Sequence, residues 1–493
     1  MMDSSSGFLE NHWSTLTGLK PSNSLAYIVQ NDIGFDNINY TDFFSTVKQT
    51  LSAIQKHGIR AKEYIPLYSL NDINTIKAVF ALWLNGSIPV MINSTLTSTE
   101  QSNILSQFDF DFVLSHSHLP ESISDRHIKT IILDKLKHTS KDFNSIGTND
   151  FNIEDDALVI FTSGSSSTPK GVVHKFKSLL KSYELGNKYF NYSQQDKWLL
   201  TLPIFHIGGF QILLRSFLSG ASVIIPKSQN IKDLQISIES QNPNYISLVS
   251  TQFKRLLEAD TKAPYNNHVL LGGGRIETEL IYEGIKKGWN PYKVYGSSET
   301  AAFISVLDIK NFNKFNNSAG ELLGEVKVEI LYDENDKSSG EIVIKSPTLF
   351  DRYLNDEIET SKRLKNGKYH AGDFGYMMDD LLFIVNRRTD LIISGGENIN
   401  PNEIEEVLLN HPKIKEVCVL GIKDEEWGEI VCAVIVPMDE IDISENEIKN
   451  FLKSNLTGYK IPKKIFFLDA LPKTELGKVK RSELLSLLQN LNQ

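Results

Sequence analysis

Short apolar runs alternate with segments of helical apolar spacing along the first half of the chain, and this alternation constrains the fold more than any other feature of the sequence. Residues 41–57 and 71–83 are predicted helices, and residues 64–68, 88–92 and 112–114 are predicted strands. Strands that alternate with helices are typical of a parallel sheet covered by helices. The sequence therefore predicts an α/β fold, in which residues 116–150 form a largely polar connection.

A second α/β run begins near residue 198. Three of its predicted strands end in serine-rich or glycine-rich turns, after residues 249, 271 and 295. Because the carboxyl ends of parallel strands meet at one edge of a sheet, we expect these turns to form ligand-binding loops at that edge.

The pattern changes twice in the second half of the chain. From residue 324 short alternating strands predict a small antiparallel barrel or sheet, and from about residue 391 a compact α+β unit is predicted. We therefore predict a large N-terminal domain over residues 1–388, followed by a small, mobile α+β domain over residues 389–493.

The composition is that of an ordinary globular protein, with 41% hydrophobic and 23% charged residues among 493. A net charge of −10 argues against an extended nucleic-acid interface. The first residues do not resemble a signal peptide, and the most apolar window, 199–214, is interrupted by Pro203 and His206, so no membrane span is expected. Cys418 and Cys432 lie in apolar runs, which favours buried thiols and a cytoplasmic location.

A predicted strand over residues 157–161 leads directly into a loop of hydroxyl and glycine residues, 162–171, that contains Lys170. Small residues let backbone N–H groups approach an anion, hydroxyls add donors, and a lysine supplies a point charge. The loop is therefore a candidate phosphate cradle, although its spacing is not that of a Walker loop. A solvated linker is the alternative interpretation of such a run.

Five motifs occur in one order along the chain: TSGS with PKG at 162–165 and 169–171, YGSSE at 295–299, YHAGD at 369–373, RRTD at 387–390 and PKTELGK at 472–478. Together they resemble the core motifs of the adenylate-forming acyl-CoA synthetase superfamily. Residues 198–206, 247–252 and 270–274 are most similar to the o-succinylbenzoate–CoA ligases of menaquinone biosynthesis.

The resemblance implies an AMP-forming acid–thiol ligase that uses ATP, Mg²⁺ and CoA. It implies that Glu299 holds Mg²⁺, that Asp373 accepts hydrogen bonds from the ribose, and that Lys478 stabilises the adenylation transition state. The residues implied in ATP or AMP binding are Thr162, Ser163, Gly164, Ser165, Lys170, Gly273, Gly274, Tyr295, Gly296, Ser298, Asp373 and Arg387. Each residue alone also has a structural explanation, as a turn, a strand end or a surface loop.

The same resemblance implies a second step in which the C-terminal domain turns about Thr389 and brings in the loop 394–397. The residues implied in CoA binding are Gly395, Gly396, Trp427 and Lys460. A solvated lysine face explains the other basic residues of the C-terminal domain equally well.

His206, Arg215, Thr251 and Gly272 are the residues implied in binding the acid, and His206 is also implied in catalysis. Arg215 lies among apolar residues on a predicted helix, where a charge requires a partner. We expect it to face the carboxylate that is not activated.

Several residues depart from the family pattern, notably Ser167 in the cradle, where glycine is usual, and Arg275 after the triple glycine. The sequence leaves three alternatives open: a ligase for another aryl or medium-chain acid, an enzyme that loads a carrier-protein thiol, and a nucleotide-binding protein without catalysis. It also leaves the oligomeric state open, with a homodimer as one candidate.

Overall fold

The computed structural model describes residues 23–117, 128–136, 152–162, 169–274, 276, 278–308, 318–332, 339–386, 391–438, 443–472 and 479–491. In these parts of the chain, the strands form three sheets. None of the helices found there has the length and apolarity needed to cross a membrane.

The predicted alternation of helix and strand is present in the first part of the chain. Its strands are β1 (Leu25–Gln30), β2 (Phe35–Asn39), β3 (Tyr64–Ser69), β4 (Ile88–Asn93), β5 (Phe112–Ser115), β6 (Lys129–Ile132) and β7 (Asp156–Thr162). Its helices are α1 (Tyr40–His57), α2 (Ile73–Asn85) and α3 (Ser98–Leu105). The prediction of a polar connection over 116–150 missed β6, a four-residue edge strand that pairs in parallel with β5. Only one residue of β6 is fully buried, so its hydrophobic signal is weak.

The second α/β run contains the strands β8 (Lys170–Lys175), β9 (Lys197–Leu199), β10 (Ser222–Ile225), β11 (Tyr245–Leu248), β12 (His268–Leu271), β13 (Pro291–Ser297) and β14 (Ala302–Leu307). Its helices are α4 (Phe176–Phe190), α5 (Ile207–Ser219), α6 (Ile231–Gln241), α7 (Ser250–Glu258) and α8 (Thr278–Lys286). A single 3₁₀ turn, Ser298–Thr300, follows β13.

Short strands dominate the next part, as predicted. They are β15 (Gly320–Leu322), β16 (Lys327–Tyr332), β17 (Gly340–Lys345), β18 (Arg352–Tyr353), β19 (Leu364–Lys365), β20 (Lys368–Met378) and β21 (Leu381–Asn386), with helix α9 at Glu357–Arg363. The last part contains β22 (Ile392–Ser394), β23 (Glu397–Ile399), β24 (Ile414–Asp424), β25 (Gly428–Pro437), β26 (Lys464–Phe467), α10 (Pro401–Leu409), α11 (Glu445–Lys453) and α12 (Arg481–Leu491).

The largest sheet has the order β2-β1-β10-β9-β11-β12-β13-β14-β15-β21-β20-β17-β16, with β19 beside β20. It is parallel from β1 to β13 and antiparallel from β13 to β16, so the predicted antiparallel strands continue its edge. The second sheet, β6-β5-β3-β4-β7-β8-β18, is parallel as far as β7. The mixed α/β fold predicted from the sequence is thus confirmed.

Residues from 391 onward form their own sheet, β23-β22-β25-β24 with β26 on β25, and their own apolar clusters. The predicted domain boundary between residues 388 and 389 lies outside the described residues, so the boundary itself stays a prediction.

Three neighbouring parallel strands position the site. β11 pairs with β12, and β12 pairs with β13, so their carboxyl ends lie at one edge of the largest sheet. Leu248, Val269 and Leu271 are fully buried among apolar side chains, which fixes these strands against the helices. The turns that follow the strands therefore lie side by side, as the sequence predicts.

Candidate active site

A cavity of about 390 Å³ lies where the turns after β11, β12 and β13 meet the end of β7 and the loop between β22 and β23. Thr162, Gly272 and Ser298 line it from the N-terminal side, and Gly395 and Gly396 line it from the C-terminal side. The cavity therefore depends on both parts of the chain, and residues from the three sets predicted to bind ATP, the acid and CoA line it.

The glycines of the cavity wall are required by close approaches of the backbone. A Cβ on Gly296 would lie 2.0 Å from the carbonyl oxygen of Ala302, and Gly273 has a φ of +81°. Gly274 does not line the cavity but faces Ile393, whose Cγ2 would lie 3.0 Å from a Cβ at that position. Side chains are excluded here, so a ligand in the cavity can contact the main chain.

Tyr295 and Asp373 form a hydrogen bond beside this wall. The phenol of Tyr295 donates to Oδ2 of Asp373 at 2.7 Å, and Tyr295 is buried. This contact joins β13 to β20, which are separated by 78 residues. Neither residue is among those that line the cavity. The carboxylate is fixed in position, and its predicted contact with a ribose stays a prediction.

Glu299 lies on the 3₁₀ turn after β13 and is only 7% exposed. The phenol of Tyr353 donates to its Oε1 at 2.8 Å, and burial together with the Glu299 charge raises the pKa of Tyr353, so the phenol stays protonated. His174 contacts the carbonyl oxygen of Ser298 through Nε2 at 2.7 Å. Burial lowers the pKa of His174 to about 4, which keeps the imidazole neutral at physiological pH.

The described residues contain no cluster of three or more histidine, cysteine or acidic side chains that could hold a metal ion by itself. Mg²⁺ is commonly held by one or two carboxylates together with the phosphates of a nucleotide. Glu299, a single buried carboxylate next to the cavity-lining Ser298, fits that pattern.

Lys170 forms an ion pair that the sequence did not suggest. Its Nζ lies 2.7 Å from Oε1 of Glu359 on α9 and 5.6 Å from the centre of the Tyr353 ring. Burial acts to raise the pKa of Glu359, but hydrogen bonds from Lys170 and Arg363 lower it to about 2. Lys170 thus lies close to the Tyr353–Glu299 pair but is not among the residues that line the cavity. Its contact with phosphate stays a prediction.

Arg215 lies on α5 and lines the cavity although it is only 2% exposed. Its guanidinium carbon lies 4.3 Å from the centre of the Phe303 ring. In the described part of the chain, neither Nε nor Nη2 has a hydrogen-bond partner. Burial lowers the pKa of Arg215, because the charged form is poorly solvated there. The cavity thus contains a cation that is able to bind an anionic group.

His206 precedes α5 and lines the cavity, as predicted. Its Nε2 lies 3.3 Å from Oε2 of Glu397 on β23, so the contact crosses between the two parts of the chain. Burial acts to raise the pKa of Glu397, but the hydrogen bond and charge of His206 lower it. Thr251 does not line the cavity, whereas its neighbour Gln252 does. Glu397 belongs to the loop 394–397 and Gln252 to the similar stretch 247–252, but neither was predicted as a site residue.

The loop between β22 and β23 has a backbone that only glycine adopts without strain. Gly395 has a φ of +61° and Gly396 a φ of +91°. The N–H of Gly395 donates to the carbonyl oxygen of Trp427 at 3.0 Å. Two cations lie near the Trp427 ring, with Lys463 Nζ at 3.5 Å and Arg255 Cζ at 4.7 Å from its centre. Arg255 comes from α7 and was not predicted.

Lys460 also lines the cavity, but its ammonium group is engaged with two carboxylates. Its Nζ lies 2.5 Å from Oε1 of Glu100 and 2.8 Å from Oε1 of Glu403. Its predicted contact with CoA stays a prediction.

Several predicted residues lie outside the described residues and stay predictions. They are Ser163, Gly164, Ser165, Ser167, Arg275, Arg387, Thr389 and Lys478.

Comparison with known families identifies most of the chain. The profile of AMP-binding enzymes matches residues 20–354, and the profile of the AMP-binding enzyme C-terminal domain matches residues 403–478. The 2-succinylbenzoate–CoA ligase of Bacillus subtilis is 31% identical over 457 residues, which cover 91% of this chain and 92% of that ligase.

Solved structures of o-succinylbenzoate CoA synthetase from Bacillus subtilis differ in how well they match. A double mutant bound with its product analogue OSB-NCoA has a TM-score of 0.89 at 30% identity and covers 96% of this chain and 98% of its own. The complex with ATP and magnesium ion has a TM-score of 0.71 at 29% identity, covering 97% and 98%. The complex with the acyl-adenylate intermediate OSB-AMP has a TM-score of 0.71 at 29% identity, covering 96% and 97%. The whole-chain arrangement seen here therefore resembles the product-analogue complex more than the other two.

Proposed function

The chain belongs to the family of AMP-binding enzymes, and we propose that it joins 2-succinylbenzoate to CoA, with cleavage of ATP to AMP and pyrophosphate. It is an AMP-forming acid–thiol ligase whose substrates are an acid, ATP and CoA. The named relative and the solved complexes support 2-succinylbenzoate as the acid, and therefore a place in menaquinone biosynthesis.

The reaction proceeds in two displacements. In the first, an oxygen of the carboxylate attacks the α-phosphorus of ATP, the bond to the β-phosphate oxygen breaks, and pyrophosphate leaves. In the second, the sulfur of CoA loses its proton and attacks the acyl carbon, and the bond to AMP breaks. Positioned donors lower both barriers when they lie where negative charge develops.

The N-terminal wall of the cavity is suited to the first displacement. We assign the Ser298 hydroxyl to the α-phosphate and the main chain at Gly273 to the nucleotide, because both residues line the cavity without obstructing it. Asp373, oriented by the Tyr295 phenol, is assigned to the ribose hydroxyls. The predicted roles of Arg387 and Lys478 complete this assignment. Mg²⁺, when bound by Glu299 and the phosphates, would neutralise charge on the leaving pyrophosphate.

The C-terminal wall is suited to the second displacement. The glycines of the loop 394–397 lie at the cavity and place no side chain over it, so that a thiol on a long arm can pass. Trp427, beside Lys463 and Arg255, provides an aromatic face and two cations for the nucleotide end of CoA. Both walls contribute to one cavity, so the adenylate does not have to leave between the steps.

One observation carries the choice of acid: Arg215, a buried cation that lines the cavity with two nitrogen donors lacking a partner among the described residues. 2-Succinylbenzoate has two carboxylates, and only one of them is activated. The other carboxylate would satisfy Arg215 and remove the cost of leaving a buried charge unpaired. A simple fatty acid would leave that cost in place.

We also propose a cytoplasmic location, supported by two free and buried cysteines, Cys418 and Cys432. A homodimer stays a proposal, which a mass measurement in solution tests.

The experiment is pyrophosphate release with ATP, Mg²⁺ and a panel of acids, with and without CoA. We expect release that is selective for 2-succinylbenzoate and accelerated by CoA. Release with a different acid would support the first alternative, an aryl or medium-chain ligase. Pyrophosphate release that CoA does not change but a carrier protein accelerates would support the second alternative, an enzyme that loads a carrier-protein thiol. No release with any acid would favour the third, a nucleotide-binding protein without catalysis.

A further inference from the structure

A buried ionic cluster outside the reacting centre joins the two parts of the chain. It consists of Glu100 on α3, Lys460, and Glu403 on α10. Lys460 is 3% exposed, Glu100 5% and Glu403 9%, so all three side chains are shielded from water. Lys460 lies between the two carboxylates: Glu100 belongs to the N-terminal part of the chain, and Glu403 belongs to the C-terminal part. The cluster therefore has one bond within the C-terminal part and one bond across the interface.

The start of α3 makes further contacts with the same C-terminal segment, residues 455–460. The Thr457 hydroxyl donates to Oε2 of Glu100. Thr97, which caps α3, lies with its hydroxyl 3.2 Å from the carbonyl oxygen of Asn455. Both bonds and the Glu100–Lys460 pair link residues that are more than 350 positions apart in the sequence. The start of α3 is thus a docking point for this segment.

The docking point and the loop 394–397 belong to the same arrangement of the chain. Gly396 approaches Val249 so closely that a Cβ would lie 2.7 Å from its Cγ2, and Glu397 contacts His206. In this arrangement the loop lines the cavity. The TM-score against o-succinylbenzoate CoA synthetase from Bacillus subtilis is 0.89 for the product-analogue complex and 0.71 for the complex with ATP. The resemblance implies that the first displacement uses Lys478, whereas the arrangement seen here is more similar to the product-analogue complex, so we assign the Glu100–Lys460 contact to the second displacement.

We propose that Glu100 is a positioning residue for thioester formation: its ion pair with Lys460 holds the C-terminal domain in the arrangement that admits CoA. This inference rests on the proposed function, because it assigns the contact to one of that reaction's two steps. It also gives Lys460 a role in domain docking rather than in CoA binding. An ion pair present in only one arrangement stabilises that arrangement by its full interaction free energy.

The variant Glu100→Gln tests the proposal with little risk to the fold. Glu100 accepts a hydrogen bond from the N–H of Thr97 at 2.9 Å in the capping box of α3. Glutamine serves in a capping box as glutamate does, so its side-chain oxygen can still accept this bond. Lys460 keeps Glu403 as its partner, so no buried charge is orphaned. If the amide oxygen keeps the bonds of Oε2, the amide NH₂ takes the place of Oε1, which accepts from Lys460, so the hydrogen bond and the charge attraction across the interface are both lost. Thr457→Val, which removes a second bond to Glu100, is an independent variant.

The two half-reactions are measured separately with 2-succinylbenzoate. Isotope exchange between ATP and pyrophosphate without CoA reports the first, and thioester formation from preformed adenylate reports the second. We expect Glu100→Gln to slow the second at least tenfold, the scale of a hydrogen bond to a charged group, and to leave the first within twofold. Thr457→Val should change the same step by a smaller factor. The control, Glu447→Gln, removes a carboxylate 2.9 Å from Lys413 that does not cross the interface, and both half-reactions should stay within twofold.

Parallel loss of both half-reactions in Glu100→Gln would show a merely structural role, and no change in either would show no role; each result overturns the inference. A wild-type protein that exchanges no pyrophosphate with any acid would overturn the proposed function, and this inference with it. A wild-type protein that is active while the ratio of the two rates is unchanged in Glu100→Gln overturns this inference alone.

Discussion

Replacing Arg215 with methionine separates recognition of the second carboxylate from everything else that the cavity does. The guanidinium is 2% exposed, lies over the Phe303 ring at 4.3 Å, and has two nitrogens without a partner among the described residues. Methionine keeps an unbranched apolar stem of similar reach, so the contacts within α5 and with Phe303 are largely retained. The variant therefore removes the charge and little else.

The magnitude follows from burial. Truncating one partner of a buried, hydrogen-bonded charge pair costs about 2–5 kcal/mol. His206, at the same cavity, has a side chain that is 44% exposed, so water reaches part of the site and the lower half of that range applies. We expect the KM for 2-succinylbenzoate to rise roughly 30-fold to 300-fold in Arg215→Met, because 1.4 kcal/mol corresponds to a factor of ten. An acid that lacks the second carboxylate should lose less than threefold.

The same substitution should stabilise the protein without ligand. A buried cation without a partner is unfavourable, and apolar replacements of buried ionic groups are often neutral or stabilising. We expect the Tm of Arg215→Met to equal or exceed that of the wild type, and 2-succinylbenzoate to raise only the wild-type Tm.

The assay is the initial rate of pyrophosphate release as a function of acid concentration, for both acids and both proteins. Equal losses with the two acids would show that Arg215 supports the cavity rather than binds a carboxylate. An unchanged KM for 2-succinylbenzoate would show that Arg215 does not contact this acid.

Three further predictions concern other residues. Gly396→Ala places a methyl group 2.7 Å from a Val249 methyl at a φ of +91°, so the rate of thioester formation should fall at least tenfold while pyrophosphate exchange persists. The control is Gly34→Ala, where a Cβ meets nothing within 4 Å, and equal rates of thioester formation in the two variants would contradict the prediction. Glu299→Gln should raise the Mg²⁺ concentration needed for half-maximal pyrophosphate release at least tenfold; an unchanged Mg²⁺ titration would contradict the assignment. Burial lowers the pKa of His174 to about 4, so the unfolded chain binds a proton at this imidazole at higher pH than the native protein does. Between pH 7 and 5 the free energy of unfolding of the wild type should therefore fall by about 2 kcal/mol relative to that of His174→Gln. The same pH dependence in both proteins would contradict this prediction.

The sequence predicted what local pattern determines. Helix α1 begins after Asn39, whose side chain caps it, and ends at Gly58 in the left-handed region, so the apolar spacing between them was sufficient to place it. The three strands β11 to β13 were predicted from their apolar runs and the turns behind them. Their alignment at one sheet edge follows from parallel pairing.

What the sequence did not predict depends on contacts between distant residues or on the rotation of a helix. Lys170 and Glu359 are 189 positions apart, and nothing local indicates that they pair. On α7, successive residues point about 100° apart, so Gln252 faces the cavity and Thr251 does not. The partners of Lys460 come from α3 and α10, and only the docked C-terminal part brings them together.

A single-turnover experiment with 2-succinylbenzoate, ATP and Mg²⁺, followed by addition of CoA, tests whether the enzyme forms the thioester through an acyl-adenylate. We expect one pyrophosphate per enzyme to appear before CoA is added, and we expect CoA then to release AMP and the 2-succinylbenzoyl thioester in equal amounts, identified by mass. Release of AMP without the thioester, or no pyrophosphate before CoA, would contradict this expectation.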